Sequence, residues 1–475
     1  MKVNLFGVGV KSQSNAITAQ RRINCYVDVR QDNEKTSYVL IGRPGLRTFV
    51  NTLGANTTRG MWAVNTLATP LLFVVQANTL YSINNAGVAS VIGLVATTSG
   101  NVSIVDDGTY LVLVDGQGGW YYDMLLGGAL TQITDGNFTT TPGTVTWQDD
   151  YFIVTSSGTN QFQLNNGVTP ATWPAANINF SGSAPGALRA GIADHSVLML
   201  FGDVYSEFWQ DAGSAGFPYA NISGSAQEFG LASAATLSKF DNSLVGLFKN
   251  KLGGVNVSRL SGFSLTRLSN SDIETILSPA RNLQNGVGFS FMSNGHPLYV
   301  LTLPDASISL MYDGASGLWS ELQSYGHTHF RGTKFASFLD RLCVADHHSG
   351  NIWQFDTSTY DDADEPMSME VWSKHIWQDD KYLSIDRVQI DVESGVGTAT
   401  GQGVNPVMDL QVSKDGGNTF FSVGYGSMGA VGQYTQRVKW SSLGAARDWV
   451  LKLVITDPVK RIITGATAEI SGGSF

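Results

Sequence analysis

Two stretches of this chain carry residue types at a spacing that could do chemistry. His327-Thr328-His329 puts two imidazoles on one face of an expected strand, and Asp346-His347-His348 follows close behind with Cys343 nearby. Imidazole and thiolate are common zinc ligands. Asp346 to Gly350, however, falls where a hairpin turn is expected, and turns favour such polar residues in their own right. The turn reading is preferred, so no metal, no cofactor and no catalytic residue is assigned.

The second stretch is Ser413-Lys-Asp415-Gly416-Gly417-Asn418-Thr419-Phe420. It has the Asp-box pattern of sialidase propellers, in which Ser and Asp side chains cap amides of a tight hairpin and Asp-Gly supplies positive φ. That is a folding device. A sialidase also needs an arginine cluster for its substrate carboxylate, and no Lys or Arg occurs between Met61 and Leu188. Asp106-Asp107-Gly108 and Asp149-Asp150 lack the alternating oxygen ligands and distal Glu of an EF-hand loop and read as turns. The sequence holds no phosphate-cradling glycine loop, nucleophile elbow or paired-cysteine zinc motif. The chain is expected not to be an enzyme.

The elements that position these residues are strands. The 475 residues are 43% hydrophobic but only 14% charged, with 53 Gly, a balance that suits short strands and tight turns better than amphipathic helices. An apolar run recurs every 40 to 55 residues or so, the spacing of propeller blades. It is seen at Pro70–Val75, Tyr110–Val114, Tyr151–Val154, Val197–Phe201, Leu244–Phe248, Leu298–Leu303 and Arg341–Ala345. A turn and a second strand bearing an aromatic follow most copies, as in Gly119-Trp120-Tyr121-Tyr122; the copy at Gly254–Val257 lacks the aromatic and is the weakest. A run apolar on both faces fits a strand buried between neighbouring sheets. Seven copies suggest seven blades, or six if one copy is an insertion.

Asp356 to Glu370 is acidic and reads as a linker. Beyond it, strict alternation at Ile385–Val392, Met408–Val412, Arg437–Trp440 and Val450–Ile455, with Ala468–Ile470 as a last strand, suggests a sandwich. The expected architecture is therefore all-β: a basic N-terminal arm over 1–50 with a turn at Arg43-Pro44-Gly45-Leu46, a six- or seven-bladed β-propeller over 51–357, and a C-terminal β-sandwich-like domain over 366–475.

Charge is distributed unevenly around a formal net of -10. The first 60 residues carry Lys2, Lys11, Arg21, Arg22, Arg30, Lys35, Arg43, Arg47 and Arg59, a docking surface or a solvated edge. The cation-free middle cannot neutralise phosphates, which nucleic-acid binding requires. Cys25 and Cys343 are read as unpaired thiols of a reducing compartment. No h-region marks a signal peptide and no apolar run is long enough to span a bilayer, so synthesis in a cytoplasm without membrane insertion is expected.

Several segments together resemble the tail nozzle proteins of short-tailed phages, also called packaged-DNA stabilisation proteins or tail accessory factors. They are Arg22-Ile-Asn24-Cys-Tyr26-Val-Asp28, Pro44-Gly45-Leu46, Arg59-Gly60, Phe201-Gly202 with Glu207-Phe208-Trp209, Tyr312-Asp313 with Trp319-Ser-Glu321, and Cys343 to Asp356. Their order carries the likeness; Cys25 stands where that family usually has an apolar residue. The resemblance implies a hexameric ring in the virion tail, below the portal and its adaptor. It also implies contacts with tail fibre or tailspike and tail needle, and genomic DNA passing through the lumen without sequence-specific binding. At physiological salt the screening length is about 8 Å, so an acidic wall would repel DNA only at close range. The alternative reading is a propeller that binds or cleaves glycans on a host surface.

Overall fold

A computed structural model describes all residues except 6, 8, 31–36, 183–185, 215, 278–281, 379–380 and 473–475. Each apolar run forms the second strand of a small antiparallel sheet, and it is apolar on both faces because it packs against two neighbours at once. In Leu71–Gln76, Leu72 and Val74 join the core shared with the last blade, whereas Phe73 and Val75 join the core shared with the next one. The same division holds for Leu111 and Leu113 against Val112 and Val114, and for Leu298 and Val300 against Tyr299 and Leu301. Each such side chain gains about 1.5–3 kcal/mol from burial, and no blade gains it alone.

Seven inter-blade cores result, each between consecutive sheets. The blades occupy 58–94, 103–132, 142–180, 188–221, 229–267, 287–322 and 332–356. Adjacent innermost strands touch all the way round, the last (Gly332–Phe338) meeting the first (Thr58–Val64), so the ring closes. The blade number left open by the sequence is seven. The weak copy is a genuine blade: Val255–Ser261 buries Val257 and Leu260 in place of an aromatic.

Tight turns join the first two strands of most blades. At Asp149-Asp150, His195-Ser196, Asp241-Asn242 and Asn294-Gly295 both central residues have positive φ, as two-residue hairpins of type I′ require. This explains the acidic or Asn residues ahead of these runs.

The sandwich packs one sheet of Cys25–Val29, Tyr38–Gly42, Ile462–Gly472, Leu383–Val392 and Val438–Ala446 against another built from Met369–Trp372, Asp448–Ile455, Val407–Ser413 and Phe421–Ser427. Between them lies a core that includes Val388, Leu410, Trp449 and Leu453.

Residues 1–50 are not a separate arm, which corrects the expectation above. Gly45–Val50, where a turn was expected at Gly45-Leu46, is the outer strand of the seventh blade, pairing Asp356 with Gly45 and Ile352 with Val50. Cys25–Val29 and Tyr38–Gly42 belong to the sandwich. Arg22–Ile23 pairs with Leu318–Leu322 of blade six on one side and Met369–Trp372 of the sandwich on the other, so one sheet runs continuously through both domains. The physical reason is common to all three: a free strand leaves a row of amide and carbonyl groups unpaired, and pairing removes those edges. The linker is likewise built in, with Asp362, Met367 and Met369 all buried.

Candidate functional site

The Asp-box folds as the sequence suggested, but in the sandwich. Asp415 accepts the amides of Asn418 and Thr419 and the hydroxyls of Ser413 and Thr419, while Ser413 Oγ accepts the amide of Gly417. These bonds, led by that from Ser413, hold the Asp415 carboxyl well below its usual range. Its oxygens are committed to the hairpin.

The Asp106-Asp107 turn is committed in the same way. Asp106 accepts Gly108 N–H and the Trp62 indole, and Asp107 accepts the amides of Thr109 and Tyr110. Asp107 and Asp150 border a shared cleft of about 190 Å³ between the second and third blades.

The histidines are brought together by tertiary structure, not by a strand. His327 and His329 lie in the connection between blades six and seven, which corrects the expected strand placement, and His347 and His348 lie in the turn after Arg341–Asp346. Burial and the neighbouring imidazoles hold His329 and His348 below the usual histidine value. Cys343 does not join them. It is enclosed in the core between blades seven and one, where burial pushes its thiol up to about 12. Cys25 is free, buried and raised to about 12 for the same reason.

The basic N-terminal residues divide into two sets. Arg22 is fully enclosed and donates to the carbonyls of Gly7 and Trp319; burial lowers it to about 10. Arg21 forms a two-pronged pair with the buried Glu321 of blade six. Arg43 pairs with Asp362, and Arg59 donates to the carbonyls of Ala77, Thr97, Ser99 and Gly100. Lys2, Lys11, Arg30 and Arg47 are exposed, and Lys35 lies outside the described residues. Half of the expected docking surface is thus internal structure. A cleft of about 520 Å³ beside it is bordered by Lys11, Arg21, Asp272 and Glu321.

Asn24 is the residue that the sequence alone undervalued. With φ of 57°, it donates to Gln323 O and Ser368 O and accepts from Gln323 N and Arg43 Nε. One side chain thereby ties the N-terminal segment, blade six and the start of the sandwich. The one signal available was an Asn interrupting an apolar strand.

The cation-free stretch corresponds to a continuous sector. Blades one to three span 58–180, and the single Lys or Arg within those limits is the enclosed Arg59. That sector has no exposed Lys or Arg to neutralise phosphates.

Closed propeller, bridging sheet and appended sandwich, with side-chain chemistry spent on holding the parts together, define a two-domain structural scaffold. Residues 1–360 match the family model for the β-propeller of bacteriophage P22 Gp10, and residues 368–471 match that for its β-sandwich. The chain belongs to the P22 Gp10 family, and it is a structural protein of the short-tailed phage tail, associated with the virion. No curated protein matches the chain. Among solved structures it is similar to the extracellular domain of BT4673 from B. thetaiotaomicron, with 9% identity over 83% of this chain and 47% of that one and a TM-score of 0.44. It is also similar to the WD40 domain of Neurospora crassa Pan2, with 10% identity over 63% and 89% and a TM-score of 0.42. These likenesses carry no functional argument, and nothing in them favours the glycan alternative.

Proposed function

We propose that the chain forms the tail nozzle: a hexameric ring below the portal and adaptor that retains packaged DNA and conducts it during ejection. The observation that carries this reading is the cation-free sector of three adjoining blades in a chain of net charge -10. A conduit must let a polyanion slide, and each phosphate contact by Lys or Arg would add a salt-dependent grip. The continuous sheet from blade six into the sandwich supports the same reading, because it gives the subunit a stiff link between two separate docking domains. Tail fibre or tailspike, tail needle and the adaptor would meet those domains.

Electron microscopy of purified virions tests the proposal. A six-fold ring of this protein between adaptor and tail tip, and loss of DNA from heads assembled without it, are the expected results. A protein that stays monomeric and is absent from the particle overturns it.

A further inference from the structure

We propose that His329, His347 and His348 bind a divalent transition-metal ion of the zinc class at the joint between blades six and seven. One ring nitrogen from each lies within 4.8 Å of the other two. Tetrahedral zinc, with Zn–N of about 2.0–2.1 Å, holds its nitrogens roughly 3.3 Å apart. On binding, the ring nitrogens would draw together from within 4.8 Å to that spacing.

A second observation points to a ligand. Both ring nitrogens of His329 are shielded from solvent and neither has a hydrogen-bond partner. A buried imidazole in that state is unfavourable unless something satisfies it, and a metal ion satisfies one nitrogen directly. The chain's other three histidines show the contrast. His195 meets Asp194, His296 meets Asp313 and His375 meets Asp448. Among the described residues, none of the four clustered histidines has such a carboxylate partner. Imidazole nitrogens are donors that suit zinc, copper or nickel and not calcium or magnesium.

The backbone around the cluster is fixed in advance. Ser324 N–H donates to His329 O, His327 N–H to Ser324 O, and His347 N–H to Arg331 O. Asp346, fully buried, receives two guanidinium bonds from Arg331, the hydroxyl of Ser349 and the amide of His348. Its oxygens shape the turn and are not free to ligate. His327 stacks on His348 with ring centroids 4.0 Å apart and 14° between planes, which positions the His348 ring. His348 is exposed, so the fourth coordination position opens to water. An ion here would clip the 323–331 connection to the blade-seven turn.

The test uses the tag-free, full-length protein after chelator treatment, titrated with zinc chloride by calorimetry and with cobalt(II) by visible absorption. One ion per chain is expected, with a tetrahedral cobalt spectrum and a zinc-dependent rise in thermal midpoint. His329→Ala and His347→Ala should each weaken binding at least ~10-fold, the scale on which supporting residues alone act. His348→Ala, at an exposed position, keeps the fold and should do the same, whereas His195→Ala should bind as wild type. Absence of stoichiometric binding, or wild-type affinity in the His348 and His347 variants, overturns the proposal.

Discussion

Arg43 and Asp362 form an ion pair at 2.5 Å in which both side chains are almost completely enclosed, at 2% and 1% exposure. The pair joins the N-terminal segment to the acidic stretch between the domains, beneath the ring of Phe330 at 5.0 Å. Removing one member strands the other charge away from water. Asp362→Ala is therefore expected to cost roughly 3–5 kcal/mol in denaturant unfolding. The double variant Arg43→Met with Asp362→Leu should recover much of that loss, and a double variant as unstable as the single would contradict this account.

Asn24 combines four hydrogen bonds with a positive φ. Asn24→Ala loses the bonds and adds backbone strain, at an expected cost of about 2–4 kcal/mol. Asn24→Gly loses the same bonds without the strain and should fall between wild type and Ala. Equal stability of the two variants would show that the backbone contributes nothing.

His296 is buried against Asp313, with Nδ1 at 3.0 Å from Oδ2, and this hydrogen bond raises its affinity for a proton. The protonated form is favoured more in the folded chain than in the unfolded one. Its contribution is therefore complete below the usual histidine value of about 6.5 and is lost as pH rises through the higher folded value. Thermal midpoints of wild type should fall over that range, and His296→Gln should flatten the dependence. A variant with an unchanged pH profile would refute it.

Asp415 gives the opposite sign. Its carboxyl is held low by the bonds of the Asp-box hairpin, so its contribution is present above the unfolded value of about 3.9 and is lost as pH falls below that. Asp415→Ala should be destabilised at neutral pH and lose less than wild type on acidification. Calorimetry between neutral pH and pH 3 distinguishes the two.

Blades one to three offer duplex DNA no exposed cation. Fluorescence anisotropy at 50 and 200 mM salt, the range over which phosphate contacts show steep losses, is expected to find negligible affinity and little salt dependence. Tight binding with a steep salt slope would remove the basis for a non-gripping conduit.

The histidine cluster shows where sequence reasoning stopped. Types and spacing single out His327, His329, His347 and His348 as candidate ligands, and the turn expected over Asp346 to Gly350 follows the strand Arg341–Asp346. What was hidden is that the connection before blade seven folds back over that turn. That contact depends on Arg331 pairing with Asp346, a relation with no periodicity to reveal it.

The sequence by itself determined the blades and the sandwich, because hydrophobic pattern acts locally. Leu72 to Val75 must be covered on both faces, and strands such as Leu383–Val392 on one. Tertiary structure decided how the ring closes and how the domains join. Gly45–Val50 reaches Ile352–Asp356 across some 300 residues, and the two-residue strand Arg22–Ile23 links blade six to the sandwich. So short a strand carries no period, and backbone pairing is indifferent to side-chain type. Only the unpaired edges left by the assembled blades select it.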